Sequence, residues 1–88
     1  MANAIKKHGG ENRLTYTTQD GKIIGLSYGV PVFVMGKDGS TFTTEEFWSV
    51  TTSRHQNLFV KENGEGKAEK ISQESINKMS EEAKGFWR

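Results

Sequence analysis

The chain has no cysteine, a single proline and only two histidines among its 88 residues. Without cysteine there is neither a disulfide framework nor a thiolate metal site. Two histidines with no carboxylate cluster beside them do not make a structural zinc site either. The sequence holds no G-x-S-x-G, no P-loop and no H-E-x-x-H, and no cofactor is implied. No segment approaches the roughly 20 apolar residues needed to cross a bilayer. The stretch "MANAIKKHGGENR" has no apolar run of signal-peptide length, so a soluble, cytoplasmic protein without membrane contact is the expectation. An excess of charge is missing too. Twelve basic and eleven acidic residues leave +1, unlike a DNA-coating protein or an acidic nucleic-acid mimic.

What remains is a short, moderately apolar chain. At this length one domain with a small core is expected, burying about 60 to 65% of its extended surface. Apolar residues are 33% of the total and mean hydropathy is -0.69, but 10% of the residues are aromatic, which disordered chains usually lack. Hydrophobic packing has to supply the stability, helped by any oligomerisation, whose state the sequence does not specify.

Residues 1–12, with "KKHGGEN", read as a flexible basic arm before a single domain over 13–88. From Leu14 the pattern is that of strands. "LTYTTQDGKIIGLSYG" places Asp20-Gly21 between two β-prone runs, a hairpin signal in which both central residues can take positive φ. Leu14 and Tyr16 share one face; Ile24, Leu26 and Tyr28 do the same in the next strand. "VPVFVM" is a third strand, apolar on both faces, with Pro31 confined to its start or to an edge. Asp38-Gly39 makes a second turn, into "TFTT" and then "FWSV". A helix over about 54–63 follows from Ser53 and Gln56 read as a capping box, with Gly64 closing it. "ENGEGKAEK", 62–70, reads as a linker. Ser72 then caps a C-terminal amphipathic helix with Ile76, Met79, Ala83 and Phe86 on one stripe and Ile71 as a hydrophobic staple. The fold class predicted is α+β: a small, twisted antiparallel sheet of four to five short strands, barrel-like in one version, with these two helices.

One stretch concentrates the chemistry. In "FWSVTTSRHQN", residues 47–57, two aromatics precede four hydroxyl residues within five positions, then Arg54 and His55. At a helix start, Thr51, Thr52, Ser53, Arg54 and His55 could bind a phosphate through hydroxyls, a guanidinium fork and unpaired backbone N–H groups. Trp48 and Tyr28 are candidate stacking or partner contacts, as are Phe86 and Trp87 at the C-terminal helix. The plain alternative is that the hydroxyls cap the helix and the aromatics fill the core. Catalytic residues are not predicted, because a Ser and a His two positions apart on one turn diverge.

Residues 27–57, "SYGVPVFVMGKDGSTFTTEEFWSVTTSRHQN", resemble a family of small uncharacterised proteins from bacteriophages and mobile elements. The matching positions are Ser27, Tyr28, Val32, Ser49, Thr51, Thr52, Ser53, Arg54, His55 and Asn57, about a third of the chain. The resemblance implies a phage accessory protein of the host-cell cytoplasm and assigns no residue a role. The expected function is a small non-enzymatic binding protein whose ligand is nucleic acid or another phosphate-bearing partner at Thr51–His55. The alternative is an inhibitor of a host defence protein acting through the C-terminal helix and sheet edge, and a small hydrolase ranks below both.

Overall fold

The computed structural model describes residues 4–7, 12–63 and 67–87. Strands β1 (Ala4–Lys7), β2 (Arg13–Thr17), β3 (Ile23–Ser27), β4 (Val30–Met35) and β5 (Thr41–Thr44) lead into helix α1 (Val50–Asn63). Strand β6 (Glu69–Ile71), helix α2 (Gln73–Met79) and a 3-10 helix (Glu81–Phe86) complete the chain. The architecture is α+β with one six-stranded sheet in sequential order.

The expected antiparallel sheet of four to five strands, and its barrel-like version, give way to an open mixed sheet of six. Two strands lie where composition gave no hint of any. β1, within the segment expected as an arm, pairs antiparallel with β2 from Ala4↔Thr17 to Lys7↔Leu14. β6, within the expected linker, pairs parallel with β5 from Phe42↔Glu69 to Thr44↔Ile71. Backbone pairing makes both, so little apolar patterning marks them; the parallel sense follows from α1 carrying the chain back across the sheet. Ile5 and Lys6 of β1 are exposed, and residues 1–3 and 8–11 lie outside the described residues.

The turns differ in kind. At Thr18–Lys22 and Gly36–Ser40 only the glycines, Gly21 and Gly39, have positive φ (92° and 91°), so the Asp-Gly pairs form longer loops than two-residue turns. Asp20 instead accepts from the Thr18 hydroxyl, and Asp38 Oδ1 accepts from the Ser40 N–H at 3.0 Å. The two-residue turn is Tyr28-Gly29, with φ of 53° and 78°. Its first residue is a bulky aromatic where glycine or asparagine is usual.

Alternation separates two cores. On the α2 side, Tyr16, Ile24 and Val34 are neighbours across the strands, and with Leu26, Ile76 and Ala83 they form one buried cluster. On the α1 side, Val32, Phe33 and Phe59 form the other. Val32 joins Phe33 on this side because pairing slips between Gly25 and Leu26, leaving Val32 opposite no residue of β3. That irregularity also accommodates Pro31, which is buried at the start of β4, its second residue, as the sequence leads one to expect. Burying one such phenylalanine or isoleucine contributes about 1.5–3 kcal/mol. Gly25 is required where α1 crosses: a Cβ there would stand 2.8 Å from the Phe59 ring.

The C-terminal segment is close to expectation. Ser72 caps α2, its Oγ accepting from the Ser75 N–H at 3.2 Å. Ile76 and Ala83 are buried in the sheet's core, and Trp87 packs against it. The helix is split: α2 stops at Met79, and a 3-10 turn carries Phe86 onto the Tyr16 ring, centroids 5.7 Å apart.

Candidate functional site

Helix α1 begins four residues earlier than its predicted start. Ser49, not Ser53, is the cap: its Oγ accepts from the Thr52 N–H at 3.0 Å, and its carbonyl accepts from the Ser53 N–H at 3.0 Å. Val50 is therefore helical, and "FWSV" is no strand. The Gly64 stop lies outside the described residues. Gln56 does not reach back to Ser53; its Nε2 donates to the Thr44 carbonyl at 3.1 Å, tying α1 to β5.

Because Thr51, Thr52 and Ser53 are helical as well, the five candidate residues stand about 100° apart in succession and face different sides of the helix. Thr52 and His55 turn inward. The Ser27 hydroxyl on β3 pairs with His55 Nδ1 at 2.8 Å and with Thr52 Oγ1 at 3.1 Å. Ser27 and His55 are each only 1% exposed, so this is a buried network whose members satisfy one another. Thr51 and Ser53 are half-buried, and Arg54 is exposed on the outward side. The structure thus brings Thr52 and His55 together with Ser27 and separates them from Arg54. The partner role of Ser27 went unrecognised, although the signal was there: a serine at an inward strand position, on the face of Ile23 and Gly25, needs a polar partner.

Above this network lies a rim of rings. Tyr28 stacks on His55, centroids 5.8 Å apart at 27°, and Trp48 Nε1 donates to Gln73 Oε1 at 3.0 Å. Gln73 Nε2 in turn donates to the Pro31 carbonyl at 2.7 Å. Tyr28 and Trp48 are 40% and 42% exposed, and flank a depression of about 180 Å³ with Ser27, Val30, Ser49 and Thr52. Both rings face the surface and do not fill the core. Phe86 is exposed too, but against Tyr16 on the α2 side, and Trp87 is half-buried in that core.

The outward arc of α1 starts at the apolar Val50 and is polar and basic beyond it. Val50, Arg54, Asn57 and Lys61 recur at spacings of four, three and four, and all are exposed. The one carboxylate of α1, Glu62, points to the side, where it pairs with Arg13 at 2.8 Å. Arg13 itself lies over the Phe59 ring, 5.4 Å from its centroid. Beside the arc, Asn57, Lys61 and Lys70 line a groove of about 360 Å³ between α1 and β6, with Thr43 and Gln56 among its other walls. Lys70 and the groove could not be read from the sequence, because only the unforeseen β6 places Lys70 there.

Among the described residues no group of three or more acidic, histidine or cysteine side chains is placed to hold a metal ion, and no helix is long and apolar enough to cross a membrane.

The fold and this surface define a small three-layer α+β domain, with α1 on one face of an open mixed sheet and α2 on the other. The chain belongs to a family of unknown function, DUF8033, whose pattern matches residues 4–78, from β1 into α2. No curated protein and no solved structure matches it significantly.

Proposed function

We propose that this is a non-catalytic binding protein of phage or mobile-element type that holds nucleic acid along the outward face of α1. The observation that carries the reading is the Arg54–Asn57–Lys61 arc. Thr52 and His55 are committed to Ser27, and the exposed arc is left with two cations, an amide and no carboxylate. Lys70 adds a third cation across the groove. Helical rise puts the arc at about 10 Å from Arg54 to Lys61, a length that suits successive backbone phosphates. A neutral chain with one basic face suits a modest, salt-sensitive contact.

Fluorescence anisotropy with labelled oligonucleotides tests it. Affinity should fall steeply between about 50 and 200 mM salt. Arg54→Ala and Lys61→Ala should each weaken binding across sequences and lower the salt slope by about 1. Binding that ignores salt and survives both substitutions would remove nucleic acid from consideration.

A protein partner is the second reading, favoured by Phe47 and Val50. They are 70% and 79% exposed beside Trp48, and aromatic anchors of this kind dominate protein interfaces. This moves the surface for a host-protein inhibitor from the C-terminal helix to the start of α1. Catalysis has the least support. Ser27 and His55 stand at a nucleophile–base distance, but their burial leaves a substrate carbonyl little access to the hydroxyl.

A further inference from the structure

The depression at the start of α1 is built unlike the rest of the surface. Its two walls are aromatic rings held from behind, Tyr28 by the His55 imidazole and Trp48 by its bond to Gln73. Gln73 is fixed in turn by Pro31 and by Asn77, whose Oδ1 accepts from Gln73 Nε2 at 3.0 Å. Tyr28 occupies a left-handed backbone position, φ 53°, that a tyrosine adopts only at a cost. Asparagine or glycine would make the same turn without strain, so the turn does not explain the ring. Between the walls the lining is Ser49 and Val30, with the buried Ser27 and Thr52 behind them. Each hydroxyl has one donor and two acceptor positions, and the bonds to His55, to one another and to the Thr52 N–H leave some of these unused.

We infer that this slot takes one unstacked nucleobase, which makes the ligand single-stranded; the inference rests on the nucleic-acid reading above. A base presents a flat face to a ring wall and a polar edge to the half-buried Ser49. The volume, about 180 Å³, admits one ring system and no secondary-structure element. In a duplex the base faces are covered by their neighbours, so a duplex can meet the α1 arc but cannot fill the slot. The arc and the slot meet at the first turn of α1, where Arg54 follows Ser49 by little more than one helical turn.

The experiment compares a labelled single strand with a blunt duplex of the same length, at one salt concentration. The proteins are the wild type, Trp48→Ala, Trp48→Phe and Arg54→Ala. The inference expects the single strand to bind at least about tenfold more tightly. Trp48→Ala should lose roughly that factor for the single strand and leave duplex affinity unchanged, while Trp48→Phe retains most of it. Trp48 emission should be quenched by the single strand alone. Equal affinity for both forms, with Trp48→Ala indifferent and Arg54→Ala impaired, overturns the slot and leaves the α1 reading standing. Binding of neither form, together with saturable binding of an aromatic-rich peptide, overturns both and gives the slot to a protein.

Discussion

Under α2, most inward positions are filled by apolar side chains that meet across the strands, with Thr44 a buried exception: Leu14 faces Leu26, Tyr16 faces Ile24, and Ile24 faces Val34. Under α1, the inward positions include Arg13, Gly25, Ser27 and Thr43, with Phe33 and Phe59 supplying the largest apolar volume. The first face is a pattern that many sequences of similar volume could satisfy. The second depends on particular partners: a glycine for a ring to lie on, a serine for a histidine, a glutamate for an arginine. Apolar layers tolerate exchange, whereas a buried polar network is costly when one member is lost. The candidate site lies at the end of the face built from such partners, where Ser27 and His55 hold up the Tyr28 turn.

That contrast can be broken most forcefully at Gly25 and Phe59. Phe59→Ala should cost about 3–5 kcal/mol in chemical denaturation. Gly25→Ala should cost about 1–3 kcal/mol through overpacking. Combined, they should cost clearly less than their sum, because removing the ring removes the clash. An additive double variant would mean that Gly25 matters for some reason other than Phe59.

His55→Ala leaves the Ser27 hydroxyl short of a partner and removes the support under Tyr28. The expected loss is about 1–3 kcal/mol, with faster amide exchange across 27–30. A cost well below that would make the network incidental to the fold. Tyr28→Asn is smaller and of opposite character. It relieves the strained φ and gives up the stack on His55, so stability should change by less than about 1 kcal/mol. Oligonucleotide affinity should fall. Affinity equal to wild type would show that the ring contributes nothing to recognition.

The smallest effect belongs to the turns. The Thr18 hydroxyl holds Asp20, and the Ser40 N–H and hydroxyl hold Asp38, below the ordinary carboxyl value of 3.8. A carboxyl whose folded pKa is depressed adds stability above its unfolded pKa and loses it as pH falls through the lower folded value. The melting temperature of wild type should therefore fall more steeply below about pH 4 than that of Asp20→Asn or Asp38→Asn, the small cost of each substitution being present near neutrality and vanishing at low pH.

Legibility followed the source of each signal. Strands β2 to β5 and the Ser72-capped helix were readable because side chains make them: alternation at Leu14, Tyr16, Ile24 and Leu26, and a stripe through Ile76 and Ala83. β1 and β6 were not, because edge strands are held by backbone bonds to a neighbour that the local sequence does not mention. The start of α1 was misplaced because four hydroxyl residues compete for one cap. Ser49 wins because capping from there points Thr52, His55 and Phe59 at the sheet. The candidate site was half visible. Trp48, Tyr28, Arg54 and His55 were singled out, yet they were read as one corner when they belong to a rim, an outer arc and a buried support.

By itself the amino-acid sequence determined the kind of domain, the hairpins, the apolar face under α2 and the residues that carry chemistry near the start of α1. Composition and period are local properties, and they suffice for these. The tertiary structure alone decided which side of α1 each of those residues occupies. It also paired Ser27 with His55, closed the slot between Tyr28 and Trp48, and set Lys70 beside Lys61. Each of these joins elements far apart in the chain, and only the packing of α1 on the sheet decides which of its side chains, about 100° apart in succession, face inward.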